Sequence, residues 1–188
     1  SGQGYRSFTP LGATSMIACA WNGAFRFHAT SESFEPIDLP FKDINYCHIA
    51  SDSLWVFVSG SDGVCLYNPL RRSFRHFSFS KQGSGYFPLK GAYSACTDRS
   101  GRVWVVSSAG IVYLEKNRNI WESYNPGFNG YDNWVNHALY DGRNHVWFKT
   151  RNGILKVDYR NKQAALLRKS YGFVNMDIRR MSLTSDSF

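Results

Sequence analysis

The chain has 188 residues, of which 43% are hydrophobic and 19% charged, which is enough apolar material for a sizeable core and excludes a disordered tail. Fourteen Phe, eleven Tyr and six Trp raise the aromatic share to 16%, a bias that favours strands over helices. The net charge of +8 is weighted toward residues 151–188, which hold 8 basic and 3 acidic side chains. It lacks the dense Lys/Arg run, helical stripe or zinc pattern that organises phosphate contacts, so it is read as solvated surface and no nucleic-acid partner is expected.

In chain order, four segments repeat one pattern. They are TSMIACAWNGAFRFH from Thr14, DSLWVFVSGSDGVCLYN from Asp52, GRVWVVSSAGIVYLEK from Gly101 and NHVWFKTRNGILKVDY from Asn144. A Trp slot holds Ile17, Trp55, Trp104 and Trp147, and a following Gly slot holds Gly23, Gly63, Gly110 and Gly153. The two slots stand six residues apart in three copies and eight in the second, which suggests a two-residue insertion in SGSDG. Eleven residues after each Gly come Phe34, Phe74, Trp121 and Ala164; eight before the Trp come Cys47, Cys96 and Leu139, with Met181 in the same slot of a following copy.

Each copy therefore predicts four short strands bounded by Gly, Asn, Asp, Ser or Pro, as in the second, near 44–50, 54–58, 63–67 and 73–79. One such sheet cannot bury both faces alone, so neighbours must stack on it. A unit of about 43 residues with four strands is the signature of a β-propeller blade. The expected fold is all-β: a single domain over 1–188 of about four blades of four antiparallel strands, with units at 5–37, 43–79, 90–124 and 133–168. Residues 175–188 would begin a further blade or supply a closing strand. An incomplete arc of a larger propeller is expected, with a closed four-bladed ring as the alternative.

The repeated residues read as structure. Trp55, Trp104 and Trp147 would fill the space between blades, each ring N–H meeting a carbonyl, and Gly63, Gly110 and Gly153 would open the third strand where positive φ or close approach is needed. Asp98 and Asp141 read as turn formers whose carboxylates accept backbone N–H bonds. Cys47 and Cys96 share an apolar slot and read as core side chains. No HxxxH, CxxC, nucleophile context or paired carboxylates stand out, so no catalytic residue, metal site or cofactor is assigned. No run approaches 18 apolar residues and no charged leader precedes an apolar stretch, so neither a membrane span nor a signal peptide is predicted.

Variation between blades is concentrated in the connections SFSKQGSGYFPLKG, NPGFNGYDNW and RKSYGFVN. In an up-and-down blade these leave from the same end as the turns between second and third strands. They place Tyr86, Phe87, Phe128, Tyr131, Trp134, Tyr171 and Phe173 on one candidate ligand face, with Arg151 and Lys149 adding charge. The same rings could instead tuck back under the loops, leaving a scaffold without a small ligand.

The third and fourth copies resemble the two-component regulator propeller repeat, D-x-x-G-x-[LV]-W-[IV]-G-T-x-x-G-[LI]-x-x-[YF]. Asp98, Gly101, Val103, Trp104, Val105, Gly110 and Ile111 match it, as do Asp141, Val146, Trp147, Thr150, Gly153 and Ile154. Ile17 replaces the Trp of the first copy, and Lys149 stands where the usual strand Gly sits. The resemblance implies a non-catalytic ligand-sensing region, periplasmic or extracellular, of a membrane-anchored hybrid histidine kinase of Bacteroides type. It implies further blades and adjacent domains as partners, a dimer in the full-length receptor, and an oligosaccharide as a candidate ligand.

Overall fold

A computed structural model describes residues 5–11, 13–40, 44–49, 56–60, 62–80, 87–88, 91–115, 118–127 and 134–167. Sixteen strands fall in these residues, grouped as four antiparallel four-stranded sheets in simple chain order. The first comprises β1 Tyr5–Pro10, β2 Ser15–Ala20, β3 Gly23–His28 and β4 Ser33–Ile37; the second β5 Ile44–Ile49, β6 Val56–Gly60, β7 Gly63–Asn68 and β8 Ser73–Ser78. The third is β9 Ser94–Thr97, β10 Val103–Ser107, β11 Gly110–Leu114 and β12 Trp121–Tyr124; the fourth is β13 Val135–Tyr140, β14 His145–Thr150, β15 Gly153–Asp158 and β16 Ala164–Leu167.

Because successive strand residues point to opposite faces, each inner sheet buries both sides. On β10, Val103 and Val105 pack with Val64, Leu66 and Phe77 of the second sheet. On the same strand, Trp104 and Val106 pack with Val146, Phe148 and Leu155 of the fourth. The first and second sheets meet through Ile17, Cys19 and Ala24 against Ile44, Val58, Cys65 and Tyr67. Three apolar layers thus join four blades. The innermost strands lie side by side in the order β1, β5, β9, β13, and among the described residues the arc is not closed into a ring. Its first face is open: Phe8 and Phe34 hold the ladder positions that Ala95 and Trp121 hold in the third sheet. Ala95 and Trp121 are buried, whereas Phe8 and Phe34 are 57% and 49% exposed.

The ladders correct the expected insertion in the second copy. Opposite Arg26, Tyr113 and Lys156 stand Ile17, Trp104 and Trp147; the equivalent position, opposite Leu66, belongs to Phe57. Phe57 precedes Gly63 by six residues, the distance found in the other three blades, so the hairpin keeps a two-residue turn and nothing is inserted. Trp55 lies outside the described residues. The inner-strand partner of Phe57 is His48, not Cys47, whereas Cys96 and Leu139 do stand opposite Trp104 and Trp147.

The Gly slot has two physical causes. Gly23, Gly110 and Gly153 have φ of 153°, 137° and 149°, a region nearly closed to residues with a Cβ. Gly63 is instead required by crowding, since a Cβ there would sit 2.2 Å from the Phe77 carbonyl oxygen. Inner strands β1, β5 and β13 each shift register near their start, between Tyr5 and Ser7, Ile44 and Tyr46, and Val135 and His137. An extra residue there sharpens twist where the strands crowd together.

Candidate ligand-binding face

At one end of the blades, turns between first and second strands are built on aspartates. Asp98 is fully buried; its Oδ1 accepts the Ser100 and Arg102 backbone N–H groups at 2.9 and 3.2 Å. Its Oδ2 accepts the Trp104 indole N–H at 2.8 Å and Arg102 Nη1 at 3.3 Å. Asp141 repeats the arrangement, with Oδ1 accepting Arg143, Asn144 and His145 N–H at 2.9, 3.0 and 3.0 Å. Its Oδ2 contacts His145 Nδ1 at 3.1 Å and accepts Trp147 Nε1 at 3.3 Å. The Trp N–H groups therefore meet a carboxylate where a carbonyl was expected. Burial pushes the Asp141 pKa up, but hydrogen bonds from the His145 and Arg143 backbone and from the Trp147 and His145 side chains outweigh it and hold the carboxyl at about 2. These oxygens are occupied in holding turns.

Arg102 extends this network across the blade boundary: Nη1 donates to Tyr159 O at 2.6 Å and Nη2 to Glu115 at 3.3 Å. Tyr124 Oη donates to Lys162 O at 2.8 Å, and Tyr113 Oη bonds Glu122 and Lys162. The third and fourth blades are thus fixed to each other by polar contacts as well as by the buried layer. This end is structural.

The opposite end carries the connections between blades and the second-to-third-strand turns, whose proximity is seen where Phe79 N donates to Asp62 O at 3.1 Å. On the fourth blade the structure brings together Trp134 and Arg151, both expected on this face, with Lys149. Arg151 N donates to Trp134 O at 3.3 Å. The Lys149 ammonium and the Arg151 guanidinium each lie 5.8 Å from the centre of the Trp134 ring, within cation–π range. Trp134 is half-buried and Arg151 exposed. Lys149 is only 8% exposed. Its ladder neighbour on β13 is His137, whose Nδ1 approaches Ser94 Oγ at 3.5 Å.

Phe87 is a correction. It is wholly buried, edge-on to Trp121 at 4.9 Å and 5.9 Å from Phe79, in the layer between the second and third blades. Its N–H donates to Ser78 O at 2.9 Å, which turns the ring inward; it offers nothing to a ligand. Tyr86, Phe128, Tyr131, Tyr171 and Phe173 lie outside the described residues. Two exposed rings near this end, Trp21 and Tyr93, are not in the predicted set. Trp21 is 59% exposed and Tyr93 49%. Trp21 is the first residue of the turn before Gly23, the place Arg151 takes before Gly153, and both are followed by Asn. That equivalence was visible in the repeat.

Chemistry elsewhere is sparse. Cys19, Cys65 and Cys96 are buried free thiols; burial pushes the Cys65 pKa up, and burial with the nearby Asp98 charge does the same for Cys96, so neither is a ready nucleophile. Among the described residues, no three His, Cys, Asp or Glu side chains form a metal-binding group. A cleft of about 160 Å³ lies against Arg26, Glu35, Ile37, Asp38, Tyr67 and Arg72. Its two cations and two carboxylates balance, and Glu35 is already bonded to Arg72 at 2.8 Å and His28 at 3.2 Å.

No protein-family model matches the chain, and no curated protein matches its sequence. Solved structures do match in fold. The extracellular domain assigned to a one-component system, BT4673 of B. thetaiotaomicron, superposes with TM-score 0.71 at 17% identity, over 86% of this chain and 22% of its own. The extracellular domain assigned to the hybrid two-component system BT3049 of the same organism gives 0.70 at 15% identity, over 88% and 24%. Kuenenia stuttgartiensis hydrazine synthase gives 0.64 at 10% identity, over 89% and 50%. The chain thus spans about a quarter of the two extracellular domains it resembles, and its blade arrangement recurs in a protein of quite different activity.

Proposed function

We propose that this chain is a non-catalytic, extracytoplasmic sensing module of a membrane-anchored two-component receptor, and that it binds an oligosaccharide on the connection-bearing face of its blades. The observation that carries the reading is the half-buried Trp134 ring at 5.8 Å from two cations, on an arc whose fold is shared with extracellular sensor domains. A flat indole offers the apolar face on which a sugar ring stacks, and neighbouring charges fix its orientation. Tyr86, Phe128, Tyr131, Tyr171 and Phe173 belong to the same set of connections and would extend the surface; Trp21 and Tyr93 add to it. Further blades and adjacent domains of the same receptor complete the module, and a dimer transmits the signal. Occupancy would bias an equilibrium between two receptor arrangements through its differential affinity for them.

A thermal-shift screen of the full-length protein against a panel of oligosaccharides tests this directly. Stabilisation by a subset of glycans, lost in Trp134→Ala, is expected. No response to any oligosaccharide would leave a scaffold role as the better account.

A further inference from the structure

The boundary between the first and second blades lacks the rings that seal the boundary between the third and fourth. At the latter, Trp104 packs on Tyr113 at 5.0 Å and meets Tyr124 edge-on at 5.5 Å, and all three are buried. In the first blade the same ladder places belong to Ile17, Arg26 and Ile37. Two rings thus become isoleucines, the third becomes a guanidinium, and the cleft of about 160 Å³ opens against Arg26 and Ile37. A cavity of about 150 Å³ admits benzene, so this space suits a molecule of about six non-hydrogen atoms. The facing blade differs in a matching way. Lys162, at φ 60°, reaches back from the fourth blade to the Tyr113 hydroxyl; Arg72, at φ 50°, holds the equivalent place in the second and reaches back to Glu35 at 2.8 Å. Glu35 also meets His28, so its carboxylate is taken. Its cross-strand neighbour Arg26 is left over: the Arg26 Nε is buried and meets no acceptor among the described residues, a state that costs stability. Tyr67 lines the same cleft and is 7% exposed. Burial pushes its pKa up against the pull of Arg72 and Arg26, so the hydroxyl keeps its proton and can donate.

We propose that this cleft is a second ligand site, for a small monocarboxylate. A slight rotation of the Arg26 side chain presents Nε–H and one Nη–H in parallel to the two ligand oxygens, and Tyr67 donates to one of them. Such charge-assisted, two-point bonds are the strong ones. The short aliphatic tail lies against Ile37. Glu35 and Asp38 line the same space, so a second carboxylate on the ligand would meet like charge, and the site selects against dicarboxylates. It lies between the first and second blades, apart from Trp134 on the fourth, and stands independently of the sugar reading.

Calorimetric titration of the full-length protein with propanoate, propanamide and succinate tests the assignment. Propanoate should bind about 10- to 100-fold more tightly than its uncharged amide, and succinate more weakly than propanoate. Arg26→Gln should abolish the preference for the acid, and Tyr67→Phe should reduce it about 3- to 10-fold. Ile37→Tyr puts back the ring that Tyr124 supplies in the third blade, and should close the cleft to all three probes. The melting temperature of each variant, read alongside, separates loss of the ligand from loss of the fold, and Arg26→Gln should hold the parent value because no internal partner is lost. Equal binding of acid and amide would overturn the site, as would a preference for the acid that survives Arg26→Gln. Absence of propanoate binding to the folded parent would overturn it as well, and tighter binding of succinate would overturn the restriction to one carboxylate.

Discussion

The Trp104 indole N–H donates to Asp98 Oδ2 at 2.8 Å across six residues of chain, and Trp147 repeats this with Asp141 at 3.3 Å. One carboxylate therefore closes a turn and anchors the largest side chain of the layer between blades. Trp104 is fully buried and Asp98 equally so, because the fourth sheet covers them. Trp147 is half-buried, since no described sheet follows it. The pairing explains why Asp and Trp recur together: without the carboxylate the indole N–H would be buried unsatisfied, and without the indole the aspartate would lose a donor it needs in a dry site.

Asp98→Ala should therefore be among the most damaging single changes in the chain. It strands the Trp104 N–H and two backbone donors and removes one of the three partners of Arg102, and is expected to cost about 3–5 kcal/mol. Asp141→Ala, at a more exposed turn, should cost about 1–2 kcal/mol. A double-mutant cycle with Trp104→Phe, read by urea denaturation, should give a coupling of about 1–3 kcal/mol for Asp98. Additivity within about 0.5 kcal/mol would show that the indole bond contributes nothing.

Arg102 reaches Asp98, Glu115 and Tyr159 O from one guanidinium, joining two blades. Lysine has one point of donation and cannot span these directions at once. Arg102→Lys is expected to lose about 1–3 kcal/mol and to raise amide exchange in the turn around Tyr159. Exchange unchanged there would mean that the apolar layer alone holds the blades together.

Acid should loosen the fourth blade selectively. The Asp141 carboxyl is held near 2, below its ordinary 3.8, chiefly because its hydrogen bonds outweigh the effect of burial. The ionised form thus favours the folded state, with the stabilisation fully present above about pH 4 and lost as pH falls toward 2. It amounts to at most about 2 kcal/mol. Urea midpoints of Asp141→Asn should accordingly converge on those of the parent between pH 4 and pH 2, after a clear gap at pH 7. A constant gap across that range would place the titrating group elsewhere.

Most of the architecture was legible because the repeat encodes it twice over, in aromatic slots and in glycine positions. Register in the second blade was not. Trp55 offers the larger aromatic two residues ahead of Phe57, and only the ladder, which places Phe57 opposite Leu66, shows that turn length is conserved over residue identity. Phe87 was misjudged because a Phe in a Gly-rich connection reads the same whether its ring faces water or folds onto Trp121. Trp134 and Arg151 were placed together because strand direction alone assigns both to one end of the blade. The burial of Lys149 depends on what packs around β14, which composition does not encode.

The two kinds of glycine should respond differently to one methyl group. At Gly110 the space around a Cβ is open but φ is 137°, so Gly110→Ala meets only backbone strain, about 1–3 kcal/mol. At Gly63 an added Cβ would lie 2.2 Å from the Phe77 carbonyl oxygen and 2.8 Å from His76 Nε2. The carbonyl belongs to β8, which pairs with β7 from Gly63 to Asn68, so relief requires moving a strand whose Phe77 ring is packed between blades. Gly63→Ala should cost about 3 kcal/mol or more, and adding His76→Ala should not rescue it, because the imidazole is the lesser obstacle. Recovery of stability in that double variant would show that the side chain, and not the strand, sets the limit.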